Sequence, residues 1–383
     1  MLVNRHGLAI SATQFATKYF ATIQTDQDTM NAQATSHVAA FGAPRVQRPD
    51  DPAMIRMAAQ LTRDLATARP AIYWADFLGS AVLGYAGLAL AVTAAGGVQA
   101  LGVVVAILAL YRAGSFIHEI THLRPDAVPG FRTVWNLLVG VPLLVPSFMY
   151  QGVHSLHHAR TRYGTAEDPE YLPLALMKPW TVPVFVLISA LAPIALLLRY
   201  GVLAPLALVI PPLRRVLVAR YSALSINPEF RRRAPEGEFA RHWAIWEAAA
   251  SLWAITLITS VALGWIPLRG FAIAIAIAAA VTVLNQIRTL VAHLWENDGA
   301  VLTVTGQYLD SVNVPPPGLL PALWAPVGLR YHALHHLLPG VPYHALGEAH
   351  RRLKAAMPAE SAYHQASYPG LSGLLVRLVR GAG

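Results

Sequence analysis

The chain has 383 residues, of which 55% are apolar and only 13% charged, and its formal net charge is +9 with the 15 histidines neutral. Soluble domains carry roughly 25% charged residues, so this composition excludes an ordinary soluble assembly and a disordered chain, and fits a surface partly solvated by lipid. The absence of cysteine excludes a disulfide scaffold, thiolate metal sites and cysteine nucleophiles.

Residues 1–69 read as a polar N-terminal arm ending in a short amphipathic helix. There is no basic start followed by an apolar core and a small-residue cleavage site, so a secretory signal is not expected. Asp50 or Asp51 can cap the helix, Pro52 suits its first turn, and Ile55, Ala58, Leu61 and Leu65 recur at helical spacing. That helix could lie on the membrane or pack against the protein.

A membrane domain is expected over residues 70–355. Crossing a bilayer takes about 20 apolar residues. Ile72–Ala95 and Val98–Ile117 form one candidate pair around Gly96-Gly97, and Ile245–Ile266 and Phe271–Ala292 form another around Pro267. Val134–Phe148 is short and broken by Pro142 and Pro146. Val182–Ile210 is long, with Pro183, Pro193 and Pro205 and with Arg199 in its middle.

Charge sets the expected orientation. Residues 214–241 hold seven Arg against three acidic residues, which places that loop in the cytoplasm. The pairs then work as hairpins, and residues 118–180 and 293–383 are cytoplasmic as well. Val134–Phe148 cannot cross, and Val182–Ile210 must enter and return, with Arg199 near its turn. The tail 356–383 carries Leu371, Leu374, Leu375 and Leu378 with Arg377 and Arg380, an amphipathic surface anchor. The whole reads as an all-α integral membrane protein with about four transmembrane helices, re-entrant or interfacial segments, and a cytoplasmic helical cap.

Three histidine clusters fall in the cytoplasmic segments: His118-Glu-Ile-Thr-His122, His154-Ser-Leu-His157-His158 and His332-Ala-Leu-His335-His336. Histidines three or four apart share a helix face and can reach one metal. Eight imidazoles exceed the ligand count of a single zinc and fit two metals, with iron suited to oxygen chemistry at an imidazole-rich site. His293, at the end of the last span, is a ninth candidate. His242, His344, His350 and His364 lack the spacing, and His6 and His37 lie in the polar arm. A metal-bound His usually donates its other N–H to a carboxylate or carbonyl, so Glu119, Glu167, Asp168, Glu296 and Asp310 are the nearby candidates. Of these, Asp168 is preferred.

The first cluster also reads as H-E-x-x-H, in which Glu119 would be the general base of an intramembrane zinc metalloprotease. That reading leaves the other two clusters without a purpose. One zinc per chain would favour it, and two irons would exclude it.

The three clusters, in order and relative position, resemble the histidine boxes of the membrane fatty acid desaturase and hydroxylase superfamily. His335-His336-Leu337-Leu338-Pro339 followed by Pro342-Tyr343 is similar to the run closing the third box in acyl desaturases, and Arg288-Thr289 before His293 to that of bacterial members. The resemblance covers about residues 70–355. It implies a bundle of mostly four spanning helices under a cytoplasmic cap with two non-haem irons. The ligands it implies are His118, His122, His154, His157, His158, His293, His332, His335 and His336. Its relatives use an Asn one turn before the late-span His, where this chain has Thr289; Asn285 lies a further turn back.

The resemblance also implies O2-dependent oxidation of an unactivated C–H bond, giving an alkene or an alcohol, on a lipid or acyl chain held in an apolar tunnel. Trp135, Trp243, Trp246, Trp295 and Trp324 are candidate tunnel or interface residues. With no fused redox module, electrons must come from a ferredoxin, rubredoxin or cytochrome b5-type donor, for which the 214–241 arginines offer a docking face. No nucleic-acid partner is expected. The expectation is a fatty acyl desaturase in a bacterial inner membrane with its active site facing the cytoplasm. Its rivals are a hydroxylase or ketolase acting on an alkane, sterol or carotenoid, and the zinc hydrolase.

Overall fold

The computed structural model describes residues 48–381; the arm up to residue 47, with His6 and His37, lies outside the described residues. Among the described residues every long element is a helix, and extended pairing is limited to isolated bridges such as His293 with Ser311. The helices are α1 (Pro52–Leu61), α2 (Pro70–Thr93), α3 (Gly96–His122), α4 (His154–His157), α5 (Thr181–Val209), α6 (Pro211–Tyr221), α7 (Gly237–Ala262), α8 (Leu268–Leu290), α9 (Val304–Asp310), α10 (His332–Leu337), α11 (Tyr343–Ala356) and α12 (Leu371–Gly381). Five of them, α2, α3, α5, α7 and α8, are long and apolar enough to cross a membrane.

The α2–α3 hairpin packs closely because both faces carry small residues. A Cβ on Gly87 would sit 2.6 Å from the Ala106 nitrogen, and one on Gly102 would sit 2.7 Å from the Ala91 nitrogen. In lipid, where apolar burial does not drive association, such backbone approach supplies the packing. A bidentate Arg112–Asp76 pair (2.7 and 2.5 Å) ties the same two helices together. Val134–Phe148 does not cross. It forms a helical turn at Phe131–Trp135 and a π-turn at Asn136–Gly140, locked where Asn136 bonds Ser147 in both directions (2.8 and 2.7 Å).

Residues 182–210 differ from expectation in where the chain reverses. Helical backbone runs through Ile188, Ala192, Arg199 and Ala204, so there is no turn at Arg199. The prolines are absorbed by local changes of helical pitch. Pro193 cannot donate to Ser189, and the freed Ser189 carbonyl accepts from Thr282 Oγ1 at 2.8 Å instead. Arg199 stays in the helix because Nη2 donates to Glu247 (2.6 Å) and Ser222 Oγ (2.9 Å), and Nε to the Tyr221 carbonyl (2.9 Å). The chain stops at Pro211-Pro212, which drive Ile210 out of the helical region (φ −120°, ψ 89°). Then α6 folds back beside Arg199, and by Leu224 the backbone bonds Met149 at 2.9 Å. Residues 181–209 therefore run one way as a single helix, and the return is made beyond Ile210 by α6.

Both terminal amphipathic helices pack on the protein. Asp51 caps α1, accepting from Met54 N at 2.9 Å, and Met54 and Ala58 are buried in a cluster with Ala349 and Leu353 of α11. Leu374 and Leu378 of α12 bury against Leu174 and Ala175, and Arg377 reaches Glu296 at 2.9 Å. The expected surface anchor is therefore a strap on the cap. Trp135, Trp243 and Trp295 are fully buried, and Trp246 nearly so, which makes them core residues; the most exposed tryptophans are Trp180 and Trp265.

Candidate metal centre

The last turn of α3 presents His118 and His122 on one face, with ring centroids 5.1 Å apart. The single turn of α4 presents His154 and His157, and His158 follows at its end. α10 supplies His332, His335 and His336. His293 sits just past α8, bridged to Ser311. The nine expected histidines converge as two groups in which the ligand atoms lie within 4.8 Å of one another: His118, His122, His154, His158 and His335, and then His157, His293, His332 and His336.

The outward nitrogens explain the ring orientations. His157 Nδ1 meets Asp168 (2.9 Å) and His154 Nδ1 meets Glu170 (2.8 Å). His293 Nδ1 donates to the Tyr163 hydroxyl (2.7 Å), which donates in turn to Asp310 (2.8 Å). A ring that donates outward through Nδ1 holds the Nε2 lone pair inward. The inward nitrogens crowd one another: His158 Nε2 lies 3.0 Å from His154 Nε2 and 3.1 Å from His335 Nε2, and His332 Nε2 lies 3.1 Å from His293 Nε2.

Burial pushes His154, His158, His293, His332, His335 and His336 well below the usual histidine range, so their rings are neutral. At His157 burial acts the same way and is the largest single effect, but the Asp168, Glu170 and Asp310 carboxylates together outweigh it and raise the pKa. Burial also lifts Glu170 to about 7 and Asp310 to about 6.

These residues fit a metal pair. Converging neutral imidazole nitrogens cannot satisfy each other by hydrogen bonding alone. Both nitrogens of His118 and Nε2 of His122 are buried with no hydrogen-bond partner, an arrangement that costs stability unless a cation accepts the lone pairs.

The neighbouring acidic residues divide. Asp168 stands directly behind the His157 ring, and Asp310 reaches the His293 ring through Tyr163. Glu119 lies 3.7 Å from His118 Nδ1, too far to bond, and its carboxylate is held by the Tyr73 hydroxyl (2.7 Å) and the Tyr343 amide (3.2 Å). It clamps α2, α3 and α11 together, which is not the free carboxylate a zinc protease requires. Thr289 turns back on its own helix, donating to the Asn285 carbonyl at 2.9 Å. Glu167 is exposed beside Arg162. Sequence reasoning missed Glu170, Tyr150, Tyr163 and Arg288. Two of them, Tyr163 and Glu170, lie in the same loop as Asp168, but only the folded loop shows which of its carboxylates face inward.

Residues 97–368 match the sequence profile of the family described as fatty acid desaturase, well over half of the chain. The chain belongs to the fatty acid desaturase family. A ceramide hydroxylase of Caulobacter vibrioides (strain NA1000 / CB15N) is 50% identical over 331 residues, which cover 86% of this chain and 94% of the relative. The family is of the di-iron histidine-box type, so the protein is an oxidoreductase-type lipid enzyme of the membrane, and the resemblance drawn from the boxes holds. The acyl-desaturase expectation is met at the level of the family, while the relative's name stands on the side of hydroxylation.

Proposed function

We propose that the protein is a membrane-bound, O2-dependent di-iron hydroxylase acting on a ceramide. The observation that carries this reading is the 50% identity across 94% of a relative named ceramide hydroxylase. The overall reaction is lipid C–H plus O2, two electrons and two protons giving lipid C–OH and water. In this reading His118, His122, His154, His158 and His335 hold one iron, and His157, His293, His332 and His336 hold the other. The iron pair would supply dioxygen activation and the oxidation of an unactivated C–H bond.

The chain's own part is orientation and enclosure. Asp168, Glu170 and the Tyr163–Asp310 pair fix the tautomers of His157, His154 and His293. The buried aromatic residues Tyr163, Tyr171 and Trp295 wall the second group from water. Electrons come from a separate ferredoxin, rubredoxin or cytochrome b5-type protein. The arginines that remain exposed for such a partner are Arg215, Arg220, Arg231, Arg233 and Arg241, since Arg214 pairs with Glu247 and Arg232 is buried. In this reading the arginine-rich loop lies in the cytoplasm, and the metal centre faces the same side of a bacterial inner membrane.

Acyl desaturation is the second reading, favoured by the family match and by the His335-His336-Leu337-Leu338-Pro339 run. Expression in a ceramide-containing host, with His157→Ala as control, separates the two. Ceramide heavier by one oxygen, absent from the control, supports the hydroxylase. New double bonds without oxygenated product overturn it in favour of the desaturase.

A further inference from the structure

Arg288 lies in the last turn of α8, among the candidate ligands, yet it is not one of them. Among the described residues its guanidinium forms no ion pair, and its hydrogen-bond partner is His332 Nδ1 at 3.1 Å. The polar groups sharing its surroundings are Tyr111, Tyr150 and Glu170, and they are committed elsewhere. The Tyr111 hydroxyl donates to the Trp324 carbonyl at 2.9 Å. The two Glu170 oxygens are engaged by Tyr150 (2.5 Å) and His154 (2.8 Å). Arg288 is part-buried and none of its nitrogens is a buried atom without a partner, so its remaining N–H groups reach open space, where an acceptor would offset the charge beside two cation sites.

The bond to His332 does not meet that need once the site is loaded. His332 Nε2 is the inward atom, facing His293 (3.1 Å) and His336 (3.2 Å). A neutral ring binding metal through Nε2 carries its proton on Nδ1, and a guanidinium has donors but no lone pair. Arg288 then has N–H groups to spare one ring away from the four-histidine group.

We propose that Arg288 positions the substrate by donating to the amide carbonyl oxygen of the lipid. It thereby selects an amide-linked lipid and places the oxidised carbon within about half a dozen bonds of that carbonyl, the reach set by one hydrogen bond and one ring. This rests on the ceramide hydroxylase reading and deepens it. It also separates the protein from enzymes that oxidise far down a tail.

The test is binding to the purified, iron-loaded full-length protein in detergent, using a ceramide and its thioamide counterpart, whose C=S is a weak acceptor. Wild type should prefer the ceramide by about tenfold, the size of one hydrogen bond to a charged donor. Arg288→Met should bind both alike, and Arg288→Lys should recover part of the preference, with iron content measured for each. If Arg288→Met fails to load iron, wild type and Arg288→Lys carry the comparison. Equal binding by wild type, or an undiminished preference in Arg288→Met, overturns the proposal. Ceramide that is hydroxylated without such a preference sinks this inference alone; ceramide neither hydroxylated nor preferred sinks the hydroxylase reading with it.

Discussion

His157 Nδ1 and Asp168 Oδ2 stand 2.9 Å apart, and the two residues are 1% and 0% exposed. The carboxylate is itself held by the Gly164 and Glu170 amides, each at 2.8 Å. Asp168 is therefore a fixed acceptor that leaves His157 one orientation. Asp168→Asn should cost about 10- to 100-fold in iron affinity or turnover. Iron per chain and product formation measured together check this, and full occupancy with normal turnover would show that another contact orients His157.

Single substitutions should distinguish the two histidine groups. His335→Ala removes a nitrogen from the five-histidine group and His336→Ala one from the four-histidine group. Each should lower bound iron below the wild-type level and reduce turnover at least about 100-fold, since both sites serve one reaction. Elemental analysis of purified protein is the measurement. One zinc per wild-type chain, unchanged by either substitution, would end the di-iron assignment.

The neutral histidines also set a pH dependence for the iron-free protein. His154, His158, His293, His332, His335 and His336 have folded pKa values below the unfolded value, near 6.5. Below that pH the unfolded chain binds more protons than the folded one, so stability falls as the pH is lowered. It is fully present above about pH 7 and is lost progressively as the pH drops below about 6.5 toward the folded pKa values. Thermal unfolding of chelator-treated protein should give a lower Tm at pH 5 than at pH 8, and iron should shrink the difference. An equal Tm at both pH values would contradict burial of neutral rings.

Arg199 and Glu247 provide a test of the fold away from the metals. Glu247 also accepts from Arg214 at 2.5 Å, so removing Arg199 leaves the carboxylate one partner. Arg199→Leu should destabilise by about 3 kcal/mol, the lower end for breaking a buried pair. The Arg199→Leu, Glu247→Leu double variant should recover part of that loss, because the half-paired buried carboxylate goes too and the part-exposed Arg214 can turn to solvent. Thermal unfolding in detergent reads both, and a double variant worse than the single would show that the pair is not the source.

Local patterns were legible in the sequence because they depend on neighbours along the chain. His118 and His122 share a face by helical period, and the paired apolar runs announce α2, α3, α7 and α8. Pro211-Pro212 sets the corner of the returning segment, a signal in consecutive residues that the expectation of a turn near Arg199 passes over. That arginine reads as a turn until Glu247, 48 residues away, is placed beside it. The same limit explains Thr289, correct in register but turned onto its own helix, and Glu119, spaced for a zinc base but held by Tyr73 and Tyr343.

The sequence by itself determined an all-helical membrane protein with eight histidines in three boxes and a ninth, His293, at a span end, because period and hydropathy are written in consecutive residues. Tertiary structure alone decided how those histidines divide into two groups, which carboxylates stand behind them, and that Arg288 waits beside them. Those relationships join residues tens to hundreds of positions apart, and only packing brings them within hydrogen-bond reach.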